Sequence, residues 1–229
     1  MILFSGGLDS TYLVYKNLRE GNIVYPIYLE ILNNEDKVLI EKNQIKLLYN
    51  IFSNEYSNIR PITFPMKFGA YNSFHELGLT QAPVWIFGMI YSGLLSNVDE
   101  IHVGYVMNDD AISFINDFKR IYMSFKGLLN VEMPPLQFPL FKTKKIEIFA
   151  NLPEKYKELT ITCEHPILNN KGDKLTFNPC GHCDTCTRQK NDKVWSNRNN
   201  LEDVLKETDT DLPKSLSITA EINPVTSHE

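Results

Sequence analysis

The 229-residue chain lacks any apolar run that approaches the roughly 20 residues of a membrane-spanning helix. No basic segment precedes its first apolar residues, so the sequence predicts no export signal. Positive charge is not in excess, because 23 lysines and arginines face 28 aspartates and glutamates, a net charge of -5. This balance gives no general basic field for a nucleic acid. We therefore expect a cytoplasmic protein that does not bind a membrane, and the charge balance disfavours a nucleic-acid partner.

Cysteine is scarce, and none occurs before residue 163. The four cysteines are Cys163, Cys180, Cys183 and Cys186, so two C-x-x-C pairs share Cys183. Cysteines that only fill a core would be scattered along the chain, and a reducing compartment disfavours disulfides. The spacing predicts a zinc site with four thiolate ligands that closes the loop from Cys163 to Cys180. An iron–sulfur cluster is an alternative, since C-x-x-C-x-x-C also occurs in ferredoxins.

Four thiolates would leave no open position on the metal, so the predicted site is structural and not catalytic. His182 lies inside the cysteine run and could replace one ligand. Because four thiols are already present, we interpret it as a surface residue or as a hydrogen-bond donor beside the ligands. A redox C-x-x-C pair is disfavoured because three thiols would compete for it.

Two common phosphate-binding motifs are absent, namely G-x-x-x-x-G-K-[ST] and G-x-G-x-x-G. Instead, the apolar residues 1–4 lead into Ser5-Gly6-Gly7-Leu8-Asp9-Ser10-Thr11, here called the glycine loop. The glycines let the backbone turn and approach an anion without a Cβ in the way. The apolar pattern after the loop indicates a helix, whose N-terminus offers free N–H groups and a positive dipole. The run predicts a strand, loop and helix that bind a pyrophosphate group.

Apolar runs of strand length alternate with stretches of helical spacing over the first 150 residues. The predicted strands are residues 1–4, 23–29, 59–64, 101–106 and 131–133, and the later helices are residues 36–52, 83–95, 111–129 and 144–150. This alternation predicts a doubly wound α/β fold with a mostly parallel, five-stranded sheet. We expect residues 1–150 to form this nucleotide-binding domain. Residues 151–195 would form a small helical zinc-binding region, and residues 196–229 a polar tail.

The glycine loop resembles the S-G-G-x-D-S signature of the PP-loop ATP pyrophosphatases, which have an adenine nucleotide α-hydrolase-like fold. The resemblance implies that residues 5–11 bind the β- and γ-phosphates of ATP while a substrate oxygen attacks the α-phosphorus. The products would be an adenylated substrate and pyrophosphate. It also implies a Mg²⁺ ion that bridges the phosphates, with Asp9 as the catalytic residue that organises the ion.

A wider pattern resembles the 7-cyano-7-deazaguanine (preQ0) synthases of queuosine biosynthesis. It joins the glycine loop, the cysteine run and the segment Pro139-Leu140-Phe141-Lys142-Thr143-Lys144-Lys145-Ile146-Glu147-Ile148. The resemblance implies a ligase that adenylates a 7-carboxy-7-deazaguanine-like acid, adds ammonia to give the amide, and dehydrates the amide with a second ATP to the nitrile. Lys145 would contact phosphate or stabilise transition-state charge, although a solvated lysine that opens a short helix would give the same pattern. Homodimers are common among the relatives, so we expect one here.

The segments that contact the substrate in that family are changed in this chain. The family's V-P-x-R-N is replaced by Ala82-Pro83-Val84-Trp85-Ile86, and the runs after the second and fourth predicted strands also differ. A buried Arg or Asn that recognises a purine-like ring cannot be replaced by Val or Trp without a loss of hydrogen bonds. Trp85 could stack on a base, but its apolar neighbours favour a position in the core.

Two other interpretations stay open because of these changes. The chain could adenylate a different acceptor, either a small molecule or a macromolecule, as in a phage or defence system. An RNA acceptor would need a local basic patch, for which several lysines and Arg188 are available. Alternatively, the chain could be a nucleotide-binding subunit without catalysis, although the complete glycine loop favours an enzyme.

Overall fold

The computed structural model describes residues 1–32, 34–69, 82–94, 97–107, 109–171 and 174–191. The predicted tail at residues 196–229 lies outside the described residues. The strands are β1 (Ile2–Leu3), β2 (Pro26–Ile27), β3 (Glu30–Ile31), β4 (Lys67–Phe68), β5 (Ile101–His102), β6 (Leu136–Gln137), β7 (Ile167–Lys171) and β8 (Lys174–Asn178). The helices are α1 (Leu8–Arg19), α2 (Glu35–Glu55), α3 (Ala82–Leu94), α4 (Ile115–Leu129), α5 (Lys145–Asn151), α6 (Glu154–Lys157) and α7 (Asp184–Asn191).

The central sheet is parallel and has the strand order β2-β1-β5-β6. β1 pairs with β2 on one side and with β5 on the other, so the chain connections run in opposite directions from this point. Ligands of open α/β sheets bind where the strand order reverses, beyond the carboxyl ends of the strands. The structure thus confirms the predicted α/β class with a parallel sheet, and it places the glycine loop at this switch point.

The strand predicted at residues 59–64 does not form. Ile59 and Thr63 make only isolated parallel bridges, to Val24 and Ile27, because Pro61 between them has no N–H to donate to a ladder. Regular pairing begins again at β4, which runs parallel to β3 in a separate two-stranded sheet. Among the described residues the central sheet therefore has four strands, one fewer than predicted.

Other parts of the chain also differ from the sequence prediction. The region of residues 151–195, predicted to be helical, contains the antiparallel strand pair β7–β8 between its helices, because residues 167–171 pair with residues 174–178. The strand predicted at residues 131–133 lies a few residues later, at β6. The helix predicted at residues 111–129 is divided into a 3₁₀ turn (Asp110–Phe114) and α4. The Asp109 carboxylate caps this turn by accepting a hydrogen bond from the Ala111 N–H at 3.3 Å. The predicted helix positions otherwise agree with the structure to within a few residues.

Helices pack on both faces of the sheet, because successive residues of a strand point to opposite faces. Met1 and Leu3 belong to a buried cluster that includes residues of α3 and α4, such as Met89 and Phe118. On the other face Phe4 makes an edge contact with Phe52 of α2, with ring centroids 6.5 Å apart. Among the described helices, none is long and apolar enough to cross a membrane.

A buried glycine in α3 gives a test of this packing. A Cβ on Gly88 would lie 2.4 Å from Leu29 Cδ1 and 2.8 Å from Leu29 Cδ2, and Leu29 is only 4% exposed. We expect Gly88→Ala to lower the free energy of unfolding by about 1–3 kcal/mol, the usual cost of overpacking. Gly127→Ala in α4 is the matched control, because its Cβ would meet nothing within 4 Å. Urea denaturation should show the control stabilised by about 0.5–1 kcal/mol, and a Gly88→Ala midpoint at or above that of the wild type would contradict the packing.

Candidate functional site

A cavity of about 400 Å³ opens beside the glycine loop at the switch point of the sheet. Its volume lies in the range of small-ligand sites, roughly 300–1,000 Å³. The charged residues in its wall are Asp9, Lys37, Glu41, Asp109, Lys145, Glu164 and Arg188. They come from segments far apart in sequence, which the sheet and the cysteine region bring together.

The glycine loop holds the backbone conformation that an anion site needs. Gly6 has a φ of +73°, in the left-handed region that favours glycine. Its carbonyl accepts a hydrogen bond from the Ile161 N–H at 2.9 Å, which ties the loop to the segment before the first cysteine. The first intrahelical bond of α1 runs from the Thr11 N–H to the Gly7 carbonyl at 2.9 Å. The N–H groups of residues 8–10 therefore have no helical acceptor and can donate to a phosphate.

The side chains of the loop divide into two sets. Ser5 and Ser10 line the cavity, and their hydroxyl oxygens lie 3.3 Å apart. Leu8 and Thr11 are 2% and 0% exposed and anchor α1 in the core. The Thr11 hydroxyl has no hydrogen-bond partner among the described residues. The loop thus presents its backbone amides, two hydroxyls and the Asp9 carboxylate to the cavity, while its other side chains anchor it in the core.

Asp9 and Lys145 form an ion pair in the cavity wall. Lys145 Nζ lies 3.0 Å from Asp9 Oδ2, and the two side chains are only 18% and 19% exposed. Contacts between α1 and α5 bring the two residues together. Lys145 does open the short helix α5, but it is not solvated there, because its ammonium group is turned to the glycine loop.

The Asp9 carboxylate has an unusual environment. Burial raises the pKa of Asp9 above its ordinary value of 3.8, and the neighbouring Lys145 ammonium offsets part of this rise. The second carboxylate oxygen, Oδ1, is buried and has no hydrogen-bond partner among the described residues. A buried carboxylate oxygen without a partner is costly, and it is common where a ligand or ion supplies the missing contact.

This environment predicts that Asp9 destabilises the ligand-free chain. Because its pKa is higher in the folded than in the unfolded chain, stability is lost as the pH rises above about 4. Asp9→Asn should therefore raise the thermal midpoint near neutral pH, by an amount that disappears in acid. Its amide oxygen can still accept a hydrogen bond from Lys145.

Thermal unfolding of the ligand-free chain across this pH range measures the effect. Asp36→Asn, at an exposed position in the first turn of α2, is the matched control and should leave the midpoint nearly unchanged. If Asp9→Asn instead lowers the midpoint at neutral pH, Lys145 rather than burial dominates the energy of the carboxylate.

Two more charged residues lie near this ion pair. Asp109 and Arg188 both line the cavity, and both act on the Asp9 carboxyl, Asp109 raising its pKa and Arg188 lowering it. The sequence does not indicate Asp109 as a site residue, and it indicates Arg188 only as part of a basic patch. The position of Arg188 two residues after the last cysteine was the available signal, since the cysteine site fixes where α7 begins.

A second set of polar residues in the cavity wall, here called the Glu41 group, consists of Tyr28, Lys37, Glu41 and Glu164. The Tyr28 hydroxyl donates to Glu41 Oε2 at 2.7 Å. Lys37 Nζ lies 2.5 Å from Glu164 Oε2 and 3.8 Å from Glu41 Oε1. Burial raises the pKa of Glu41, and Lys37 offsets part of this rise. Sequence reasoning missed this group, although Lys37 and Glu41 are spaced to share one face of α2.

Aromatic rings form the apolar part of the wall. The Tyr105 ring stacks on Phe138 at a centroid distance of 5.9 Å, and it also contacts Trp85 and Phe118 at 5.9 and 6.0 Å. Trp85, Tyr105 and Phe118 all line the cavity. The sequence favours a core position for Trp85. In the structure its partly buried ring packs against the core cluster and also faces the cavity.

The four cysteines form one cluster, as their spacing predicts. The Sγ atoms of Cys163, Cys180, Cys183 and Cys186 all lie within 4.8 Å of one another. Sulfur ligands about 2.3 Å from a tetrahedral zinc ion are about 3.8 Å apart, so this cluster can hold one metal ion and is compatible with zinc. Among the described residues, His182 does not join the cluster; its Nδ1 lies 2.9 Å from the Cys180 carbonyl oxygen.

Backbone N–H groups and burial act in opposite directions on the thiols of the cluster, and burial raises the pKa of Cys163 to about 11 and also raises that of Cys186. The N–H of Cys180 donates to Cys163 Sγ at 3.2 Å, and the N–H groups of Cys183 and Cys186 donate to the preceding cysteine sulfur at 3.4 Å. Burial alone would raise the pKa of Cys180, but the N–H groups of His182 and Cys183 and the neighbouring thiols lower it to about 6. A donor set of four sulfurs, held by such bonds, fits zinc or iron and not Mg²⁺.

The cysteine cluster also places residues in the cavity. Glu164 follows Cys163 directly, and Arg188 lies on α7, the helix that carries Cys186. Gln189 of the same helix donates a hydrogen bond to the Thr162 hydroxyl, which joins the two segments a second time. A metal at the cluster would therefore hold two parts of the cavity wall in position.

No family model matches the chain, and no curated protein gives a match.

Proposed function

We propose that the chain cleaves ATP between the α- and β-phosphorus atoms and transfers AMP to the carboxylate of a planar aromatic acid. The observation that carries this proposal is the Asp9–Lys145 pair, with N···O 3.0 Å, in a cavity at the N-terminus of α1. Backbone amides, a helix dipole and a lysine converge there on the space beside the glycine loop. Asp9 lies at the same point with a carboxylate oxygen free to accept a ligand.

In this proposal the β- and γ-phosphates lie against the glycine loop. The N–H groups of residues 8–10 donate to them, while Lys145 and Arg188 supply positive charge. Asp9 would hold a Mg²⁺ ion, whose charge would neutralise the phosphates when bound. The glycine loop has no lysine of the kind found in G-x-x-x-x-G-K-[ST] loops. Lys145, from a distant segment, supplies the positive charge instead.

The first chemical step is attack by a carboxylate oxygen of the acid on the α-phosphorus. The bond from the α-phosphorus to the bridging oxygen breaks, and pyrophosphate leaves with its charge stabilised by Lys145 and the loop amides. Ammonia then attacks the acyl carbon, and AMP leaves to give the amide. In a second cycle the amide oxygen attacks the α-phosphorus of a new ATP, and pyrophosphate leaves. Loss of AMP, which takes the amide oxygen, and of the two protons on nitrogen then gives the nitrile. The products resemble those of the preQ0 synthases.

The aromatic wall supports a flat acceptor. Trp85, Tyr105 and Phe118 offer ring faces on which a deazapurine-like acid can stack. Asp109, beside them in the wall, can accept hydrogen bonds from ring N–H or amino groups. An acid of the 7-carboxy-7-deazaguanine type has both features.

A second candidate keeps the adenylation and changes the acceptor. Trp85 supports it, because an indole ring faces the cavity near the place where the similar family has Arg and Asn. Trp85 offers a ring face and one N–H donor and no cation. A different small molecule or a terminus of a macromolecule would then be adenylated by the same machinery.

We also propose the five-stranded PP-loop form of the sheet and a structural zinc ion at the cysteine cluster. The bridges at Ile59 and Thr63, together with the β3–β4 pair, run along one side of residues 24–31 and support the proposal of a fifth strand there. The close approach of the four sulfurs supports one ion over a multi-iron cluster, whose ligands bind different iron atoms. A metal assay and the visible absorption spectrum of the purified chain decide between zinc and iron.

The test incubates the protein with ATP, Mg²⁺, ammonia and 7-carboxy-7-deazaguanine, and follows the acid by mass spectrometry. The proposal predicts the amide and then the nitrile. AMP and pyrophosphate formed only with another acceptor would favour the second candidate. ATP binding without turnover in the presence of any acceptor would show a nucleotide-binding subunit and would overturn both.

A further inference from the structure

The Glu41 group has no part in the proposed handling of phosphate. Its four residues line the same cavity as the glycine loop, and they bond chiefly to one another. Glu41 is close to the loop, because a Cβ on Gly6 would lie 3.9 Å from the Glu41 carbonyl oxygen. If the phosphates of a ligand bind at the glycine loop, the part of the ligand next to the phosphates would therefore contact the Glu41 group.

The charges of the Glu41 group exclude a phosphate from this part of the wall. The Lys37 ammonium is already matched by two carboxylates, at 2.5 Å from Glu164 and 3.8 Å from Glu41. Near Asp9, by contrast, the two cations Lys145 and Arg188 balance the two carboxylates of Asp9 and Asp109, and the free amides of α1 add positive potential. An ATP molecule would hence place its triphosphate near Lys145 and its uncharged sugar near Glu41.

Glu41 is arranged as a hydrogen-bond acceptor. Tyr28 donates to Oε2 at 2.7 Å and so fixes the plane of the carboxylate. Lys37 is 3.8 Å from Oε1, too far for a hydrogen bond to that oxygen. A carboxylate with an oxygen available to accept is the group that binds ribose hydroxyls in other nucleotide sites. Leu29 and Ile31, which also line the cavity, provide an apolar surface for the base.

We propose that Glu41, held by Tyr28, accepts a hydrogen bond from a ribose hydroxyl of ATP and makes the site selective for ribonucleotides. The proposal rests on the proposed function, since it requires that the glycine loop binds the triphosphate. Glu41 is then a specificity-determining residue, and Tyr28 is its positioning residue. A deoxynucleotide would leave the buried carboxylate without its partner, which carries a penalty of about tenfold or more in affinity.

The experiment measures the affinity of the full-length protein for ATP, 2′-deoxy-ATP, 3′-deoxy-ATP and inorganic pyrophosphate by titration calorimetry with Mg²⁺ and without an acceptor. We expect the wild type to bind at least one deoxy analogue about tenfold or more weakly than ATP. Glu41→Ala should bring that ratio to within about twofold, Glu41→Gln should give an intermediate ratio, and both should bind pyrophosphate as the wild type does. Glu35→Gln, at an exposed position of the same helix, is the control and should keep the full ratio.

The outcomes separate this proposal from the one on which it rests. Equal binding of ATP and both deoxy analogues by the wild type would overturn the role of Glu41 but would leave the proposed ATP cleavage intact. This comparison uses only the wild-type protein, so it does not depend on whether a variant folds. A Glu41→Ala protein that keeps the full ratio would overturn it as well. If the wild type binds neither ATP nor pyrophosphate, the proposed function itself is wrong and the ribose proposal falls with it.

Discussion

Replacing Lys145 by methionine is expected to lower the rate of pyrophosphate release by about 10²–10³-fold, the usual effect of removing one group that stabilises transition-state charge. Methionine keeps most of the length of the side chain and removes the ammonium group, which lies 3.0 Å from Asp9 beside the glycine loop. The negative charge that develops on the leaving pyrophosphate would lose its nearest lysine. The affinity for ATP should fall less than the rate, because the loop amides remain.

The control is Lys144→Met, one residue earlier. Lys144 is exposed at the N-terminal boundary of α5, so its ammonium group is solvated and its removal should change the rate by less than about twofold. Both variants are assayed for AMP and pyrophosphate at saturating ATP. Equal rates for the two variants would show that Lys145 has no role beyond its ion pair.

The second large effect is expected at the cysteine cluster. Cys186→Ser should reduce the metal content from one ion per chain to a small fraction, because the buried fourth thiolate of the cluster is lost. We expect the free energy of unfolding to fall by at least about 3 kcal/mol. This is only a fraction of the free energy of about 10–16 kcal/mol with which zinc binds small zinc-finger peptides. For a chain of this size that is a fall of about 6–12 °C in the thermal midpoint.

His182→Ala is the matched control within the same run. His182 is exposed and only its Nδ1 approaches the Cys180 carbonyl, so the variant should keep one metal ion per chain and a nearly wild-type midpoint. Metal content is measured by mass spectrometry of the digested protein, and the midpoint by calorimetry. If His182→Ala loses the metal while Cys186→Ser keeps it, the ligand set is wrong.

Loss of the metal should also change the wall of the cavity. Cys163 precedes Glu164, and Cys186 shares α7 with Arg188, so loss of the metal releases residues of both charged groups in the wall. Affinity for pyrophosphate should fall in Cys186→Ser even at a temperature where the protein is still folded.

Much of the fold follows from local patterns in the sequence. The apolar residues 1–4, the glycine loop and the helical pattern after it predict β1, the turn and α1, because each is set by neighbours in the chain. The cysteine spacing likewise brings Cys180, Cys183 and Cys186 together through a short turn. These features need no knowledge of distant contacts.

Other features depend on contacts that the sequence does not show. Apolar side chains at residues 59–64 indicate a strand, but Pro61 leaves only two bridges in the structure. The position of Lys145 at the start of a short helix is compatible with a solvated side chain, and only the packing of α5 on α1 turns it to Asp9. Glu164 meets Lys37 across 127 residues of sequence, so this carboxylate does not stand out along the chain.

The most direct test of the account is the identity of the ATP-derived products, followed by ³¹P NMR. The wild-type protein is incubated with ATP, Mg²⁺, ammonia and 7-carboxy-7-deazaguanine carrying ¹⁸O in its carboxylate. Cleavage at the glycine loop predicts AMP and pyrophosphate in equal amounts, with ¹⁸O transferred from the carboxylate to the phosphorus of AMP. Formation of ADP and phosphate, or AMP without ¹⁸O from the acid, would contradict attack of the carboxylate on the α-phosphorus.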